Sequence, residues 1–89
     1  MCDIYANTDP ALYETITRSV RIDGVVTSIR LEQRFWDTLD EIAQSEEQST
    51  PQFINTLYQE VMERRGETGN FTSLLRVVCT VYLDNKAVA

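Results

Sequence analysis

The first regular pattern in the chain is an alternation of period two. From Ile16 to Leu31 it reads Ile-Thr-Arg-Ser-Val-Arg-Ile-Asp-Gly-Val-Val-Thr-Ser-Ile-Arg-Leu, rich in β-branched residues. That period belongs to strands. Asp-Gly between two such runs is a strong hairpin signal, because a two-residue type I′ turn needs positive φ at both central positions. A turn at Asp23-Gly24 sets Ile22 opposite Val25, Val20 opposite Thr27 and Arg18 opposite Ile29. One face then carries Val20, Ile22, Val25, Thr27, Ile29 and Leu31. The other carries Thr17, Ser19, Arg21, Val26, Ser28 and Arg30. A slip of one residue would exchange the two faces, so the apolar set fixes the register.

From Glu32 the period changes. Phe35, Trp36, Leu39, Ile42 and Ala43 recur at helical spacing, with Asp37, Asp40, Glu41, Glu46 and Glu47 off that stripe. The pattern breaks at Glu47-Gln48. Ser49-Thr50-Pro51-Gln52 then starts a second helix, with hydroxyl caps, an early proline and a glutamine three residues after Ser49. This helix presents Phe53, Ile54, Leu57, Tyr58, Val61 and Met62. It ends at Arg64-Arg65-Gly66, where a helix favours cations and then a glycine. After the linker at 66–70, Asn70 or Thr72 caps a third apolar stretch through Leu74, Leu75, Val77, Val78, Val81, Tyr82 and Leu83, whose length favours helix over strand. Residues 1–14 read as an extended arm, with a turn at Asp9-Pro10 before a short helical stretch at 11–15.

The fold class expected is therefore mainly α with a β-ribbon, in one domain. Its parts are an arm at 1–14, a core with its hairpin strand at 15–65, and a C-terminal helix at 66–89 packing on that core. At 89 residues with 43% hydrophobic content, such a chain can form a core but often gains stability by oligomerising.

Charge refines this picture. The net charge of −6 opposes nucleic-acid binding, whose affinity comes largely from neutralising phosphates. Its distribution is uneven, however. Residues 15–31 carry a net positive charge from Arg18, Arg21 and Arg30, while 32–48 hold six acids against Arg34. No apolar run approaches the roughly 18 residues needed to span a membrane. The first residues also lack the basic and apolar regions of a signal peptide, so a cytoplasmic address is expected. There is no histidine, and Cys2 and Cys79 stand far apart. This excludes the usual zinc sites and makes a disulfide between them unexpected in a reducing compartment. No metal or cofactor is expected.

A strand, two amphipathic helices and a hydroxyl-capped junction resemble the ribbon-helix-helix family (the Arc/MetJ-like proteins). The matching residues are the strand Val26–Leu31, the first helix Phe35–Ala43, the turn through Glu47-Gln48-Ser49 and the second helix Phe53–Tyr58. The hairpin and the third helix extend beyond the minimal fold. With Met1-Cys2 and the stretch Asn70-Phe71-Thr72-Ser73-Leu74-Leu75-Arg76, they are similar to a larger bacterial branch of the family. The resemblance implies an intertwined homodimer whose strands pair antiparallel across two subunits. Its dimer core would be Ile29, Leu31, Trp36, Leu39, Ile54 and Leu57, which one strand and two short helices cannot bury alone.

The resemblance also implies a function. The paired ribbon would enter the major groove of double-stranded DNA, with Val26, Ser28 and Arg30 reading base edges. Ser49, Thr50 and Gln52 would hold a phosphate at the start of the second helix. Each assignment has a plainer rival. Ser28 and Arg30 also suit the solvated face of a half-buried sheet, and Ser49-Thr50 suits ordinary capping. A hairpin present in both subunits would also make the ribbon four strands wide. At about 4.8 Å per strand, that crowds a groove about 12 Å across.

The leading expectation is a DNA-binding transcription regulator. The alternative is a ribbon-helix-helix dimerisation module that binds a protein partner, as an antitoxin or adaptor does. Its surface would be the acidic helix and the C-terminal helix, with Leu75, Val78 and Tyr82. An enzyme is not expected. Cys2 would need an activating base and an oxyanion hole, and the chain has neither a histidine nor a glycine-rich phosphate loop.

Overall fold

The computed structural model describes residues 2–88, with side chains for 3–87. A short helix α1 (Cys2–Ala6) and a 3-10 turn (Pro10–Tyr13) precede two strands, β1 (Thr15–Ile22) and β2 (Val25–Glu32). Three helices follow: α2 (Gln33–Ser45), α3 (Thr50–Arg65) and α4 (Phe71–Val88). The arm is thus two short helical pieces rather than an extended strand. The Asp9 side chain accepts from the Ala11 N–H at 3.0 Å and Pro10 supplies helical φ, so the local chemistry favours a turn.

The strands form a two-stranded antiparallel sheet whose register pairs Ile22 with Val25, Val20 with Thr27 and Arg18 with Ile29. Asp23 and Gly24 have φ of 53° and 80°, as a type I′ turn requires. The inner face is buried at Val20, Ile22, Ile29 and Leu31, but Val25 and Thr27 are exposed. Here the expectation of a continuous apolar face needs correction. α3 packs against β1 and bonds the turn at Asp23, while Arg76 of α4 bonds Glu32 at the far end of β2.

Trp36, Leu31, Leu39, Ile54, Leu75 and Cys79 are fully buried and share one core with Val20, Ile22, Ile29 and Ile42. A buried side chain of this size contributes roughly 1.5–3 kcal/mol. Ile29, Leu31, Trp36, Leu39 and Ile54, assigned from the sequence to a dimer core, are already covered within the single chain, and Leu57 is half-buried. The cover comes from β1 and α4, the two elements outside the minimal fold. On α4, Leu75 is buried and Val78 and Tyr82 pack partly buried against the core. Those three residues were expected to form an outward surface. The exposed apolar residues of that helix are instead Val77 and Val81.

The helix ends follow their sequences. Ser49 Oγ accepts from the Gln52 N–H at 3.2 Å, and the Gln52 side chain accepts from the Ser49 N–H at 2.9 Å, completing a capping box. Gly66 closes α3 in the left-handed region at φ 76°. Of the two candidate caps for α4, Asn70 accepts from the Ser73 N–H at 3.1 Å.

Candidate nucleic-acid interface

The outer face of the hairpin carries Thr17, Ser19 and Arg21 on β1 and Val26, Ser28 and Arg30 on β2, all exposed. Cross-strand partners on this face are Arg21 with Val26, Ser19 with Ser28 and Thr17 with Arg30. Its chemistry is two guanidiniums, three hydroxyls and one small apolar side chain. These groups match base-edge acceptors, donors and the thymine methyl.

The hairpin is fastened to the helices along its length. At the turn, the Asp23 N–H donates to Asn55 Oδ1 at 2.9 Å, and Gln59 Nε2 donates to Asp23 Oδ1 at 3.3 Å. At the base, the Gln33 N–H donates to the Glu14 carbonyl at 2.8 Å. Between them the Trp36 indole N–H donates to the Ile16 carbonyl at 2.9 Å. This satisfies the one polar atom of a buried ring.

Arg18 is the inward-facing cation of β1. Its guanidinium lies 4.5 Å from the centroid of the Trp36 ring and donates to both Asp40 carboxylate oxygens, at 2.9 and 3.2 Å. Thr50 Oγ1 donates to the same carboxylate at 2.6 Å. Burial pushes the Asp40 carboxyl up, but the Arg18 and Thr50 hydrogen bonds and the Arg18 charge outweigh it and hold the group below its ordinary value. The positive charge of residues 15–31 therefore divides. Arg18 is paired with Asp40 on the helix-facing side, while Arg21 and Arg30 have no ion pair among the described residues.

The start of α3 is already occupied by its own chain. Ser49 and Gln52 bond each other, Thr50 bonds Asp40, and Pro51 has no N–H to offer. A phosphate would meet the Thr50 N–H beside the Asp40 carboxylate. The three residues expected to hold a phosphate are thus brought together, engaged in capping and in fixing α2 to α3.

Val26, Ser28 and Arg30 share one exposed face, as their alternation predicts. Thr17, Ser19 and Arg21 stand beside them and were not assigned as readers, although the Asp23-Gly24 register already placed them there. The Arg18–Asp40–Thr50 network was not foreseen. Its one sequence signal was an arginine on the apolar face of a strand.

Comparison with known proteins places this geometry. A model of the ribbon-helix-helix domain matches residues 15–83. The chain belongs to the ribbon-helix-helix family. A solved structure of an uncharacterized protein from Bordetella pertussis Tohama I is similar, with 46% identity and a TM-score of 0.94 over 98% of this chain and 70% of that one. No curated protein matches. Ribbon-helix-helix proteins generally include DNA-binding transcription regulators, usually act as dimers and are typically non-enzymatic.

Cys79 is buried, its thiol 3.6 Å from the Phe35 carbonyl, and burial pushes it up to about 11, far from a reactive thiolate at neutral pH. The side chain of Cys2 lies outside the described residues. Among the described residues, no group of three or more cysteine, aspartate and glutamate side chains is placed to hold a metal ion, and no helix is long and apolar enough to cross a membrane.

Proposed function

We propose that this protein is a cytoplasmic, non-enzymatic transcription regulator that binds double-stranded DNA through the outer face of its β-ribbon, acting as a homodimer without a cofactor. One observation carries the reading: a ribbon hydrogen-bonded to its helices in a ribbon-helix-helix fold presents an exposed polar face with two arginines that have no ion pair among the described residues. Arg30 suits a bidentate contact to guanine, Ser28 a hydrogen bond to either class of base, and Val26 a thymine methyl. Ser49, Thr50 and Gln52 would add a backbone phosphate contact once the Thr50 hydroxyl turned from Asp40. With few free cations on the face, recognition rests on base contacts more than on charge, and the net charge of −6 keeps non-specific affinity low.

Selection from a randomised duplex pool at about 50 and 200 mM salt, beside an Arg30→Ala control, tests this directly. Enrichment of a defined site that the control loses supports it. A folded protein that enriches nothing at either salt rejects it. A second reading has its own observation. Val77 and Val81 leave an apolar strip exposed on α4, as a module that docks a protein partner would. That reading gains if the folded protein ignores DNA.

A further inference from the structure

We infer that the cleft between the 3-10 turn and the start of α2 is a binding site for a small aromatic carboxylate, held by Arg34 over walls of Leu12, Tyr13 and Phe35. The cleft lies apart from the outer face of the ribbon, and its ligand does not depend on the DNA-binding reading above.

Shape and surface select the body of the ligand. The cleft holds about 280 Å³, is lined by Thr8, Leu12, Tyr13, Glu32, Arg34 and Phe35, and has walls almost entirely of carbon. An apolar cavity of roughly 150 Å³ accepts benzene, so this one takes one or two fused rings with a short substituent. Leu12 and Phe35 are half-buried, while Tyr13 is 62% exposed. A ring laid against these side chains removes apolar and aromatic surface from water, the main driving force for a ligand of this kind.

Charge selects the substituent. Glu32 and Arg34 are the two charged residues of the lining. Glu32 is already engaged: its two carboxylate oxygens accept from Arg76, at 3.0 and 3.4 Å, and these bonds hold its carboxyl below its ordinary value. The acids further along α2 are engaged too. Asp37 accepts from Gln33 Nε2 at 2.7 Å, and Glu41 pairs with Lys86 at 3.0 Å. Arg34 is exposed and has no ion pair among the described residues. One uncompensated guanidinium thus stands at the edge of an apolar chamber, and its fork matches a carboxylate through two parallel hydrogen bonds. A phosphate dianion would leave charge unanswered against carbon walls. The net charge of −6 opposes any anion at long range, but at physiological salt it is screened beyond about 8 Å.

The larger cleft between α3 and α4, about 480 Å³, is lined by Arg65 together with Glu67 and has no aromatic wall, so neither charge nor stacking singles out a ligand there. At the smaller one, the Gln33 N–H donates to the Glu14 carbonyl at 2.8 Å and ties the end of the 3-10 turn to the first residue of α2. Its walls are therefore set before a ligand arrives, which lowers the cost of binding. Glu32 ends β2 and is the N-cap residue of α2, so the occupant lies against the root of the ribbon, where an effector of that ribbon would sit.

Two-dimensional NMR of the full chain, titrated with 2-naphthoate and separately with uncharged 2-naphthamide, tests the site. The acid should saturate with a Kd of about 1 mM or tighter and shift Leu12, Tyr13, Arg34 and Phe35 most. The amide should bind about 10- to 150-fold more weakly, the range for losing hydrogen bonds between charged groups. Arg34→Gln should weaken the acid by the same factor, so that shifts which saturate in the wild type still rise at the highest concentration. The comparison of acid with amide uses wild-type protein and stands even if the variant misfolds. Absence of saturation with the acid, an amide that binds as tightly, or a folded Arg34→Gln variant that binds as the wild type does would each overturn the assignment. So would shifts centred on Val61, Arg65 and Leu74 with Leu12, Tyr13 and Phe35 silent.

Discussion

Removing the Asp40 carboxylate should loosen the strand that completes the ribbon. In an Asp40→Ala variant the Arg18 guanidinium loses both of its carboxylate acceptors and Thr50 loses the acceptor of its 2.6 Å bond, while Arg18 stays above the Trp36 ring. The side chains of Arg18 and Asp40 are 36% and 44% exposed, so the pair is screened and sits nearer the surface range of about 0.2–1 kcal/mol than the buried range. Its bidentate geometry places it at the upper end, and the lost hydroxyl bond adds about 0.5–1.5 kcal/mol. The sum is about 1–2.5 kcal/mol, or a Tm fall of about 4–20 °C for a domain of this size. Trp36 is the only tryptophan and lies against Arg18, so urea unfolding followed by its fluorescence reports from the right place. A double-mutant cycle with Arg18→Ala should give a coupling of about 0.5–1 kcal/mol.

An Asp40→Asn variant isolates the charge, because the amide oxygen still accepts from Thr50. The folded Asp40 is held below its ordinary value of 3.8. The stability it confers is therefore present above that pH and lost as pH falls through the lower, folded value. The gap between wild type and Asp40→Asn should thus narrow as the pH falls below the ordinary value of 3.8. A coupling below about 0.2 kcal/mol, or a gap that does not change with acid, would refute this account of how β1 is held.

Other outcomes follow from the same geometry. Gly24 has φ 80° with open space where a Cβ would sit, so Gly24→Ala should cost about 1–2 kcal/mol through backbone strain alone, read by thermal unfolding. Ser49→Ala removes half of the capping box and should cost about 1 kcal/mol, read by urea unfolding. Cys79, buried with its thiol pushed up to about 11, should resist iodoacetamide at neutral pH in the native protein and react once urea unfolds it. Peptide mass spectrometry locates the label.

Most of the hairpin was legible in the sequence because its signals are local and redundant. Asp23-Gly24 sets the turn, and Val20, Ile22, Ile29 and Leu31 set the face, so pattern and turn chemistry agree on one register. The capping box at Ser49 and Gln52 is legible for the same reason. What escaped was long-range. The exposure of Val25 and Thr27 depends on how α3 and α4 meet the sheet, which no period along β2 encodes. Leu75, Val78 and Tyr82 lie on a helix that is apolar most of the way round, so periodicity could not tell the inward stripe from Val77 and Val81. The sequence pattern led to a helix at 66–89 packing on the core, but not to Trp36, Leu39 and Ile54 being buried within the single chain rather than between two.

The most direct measurement is an NMR titration of the isotope-labelled protein with the duplex selected from the randomised pool. The account predicts the largest amide and side-chain shifts at Thr17, Ser19, Arg21, Val26, Ser28 and Arg30, with α4 little changed. Shifts centred on Val77 and Val81, or on α3 with the ribbon silent, would contradict it.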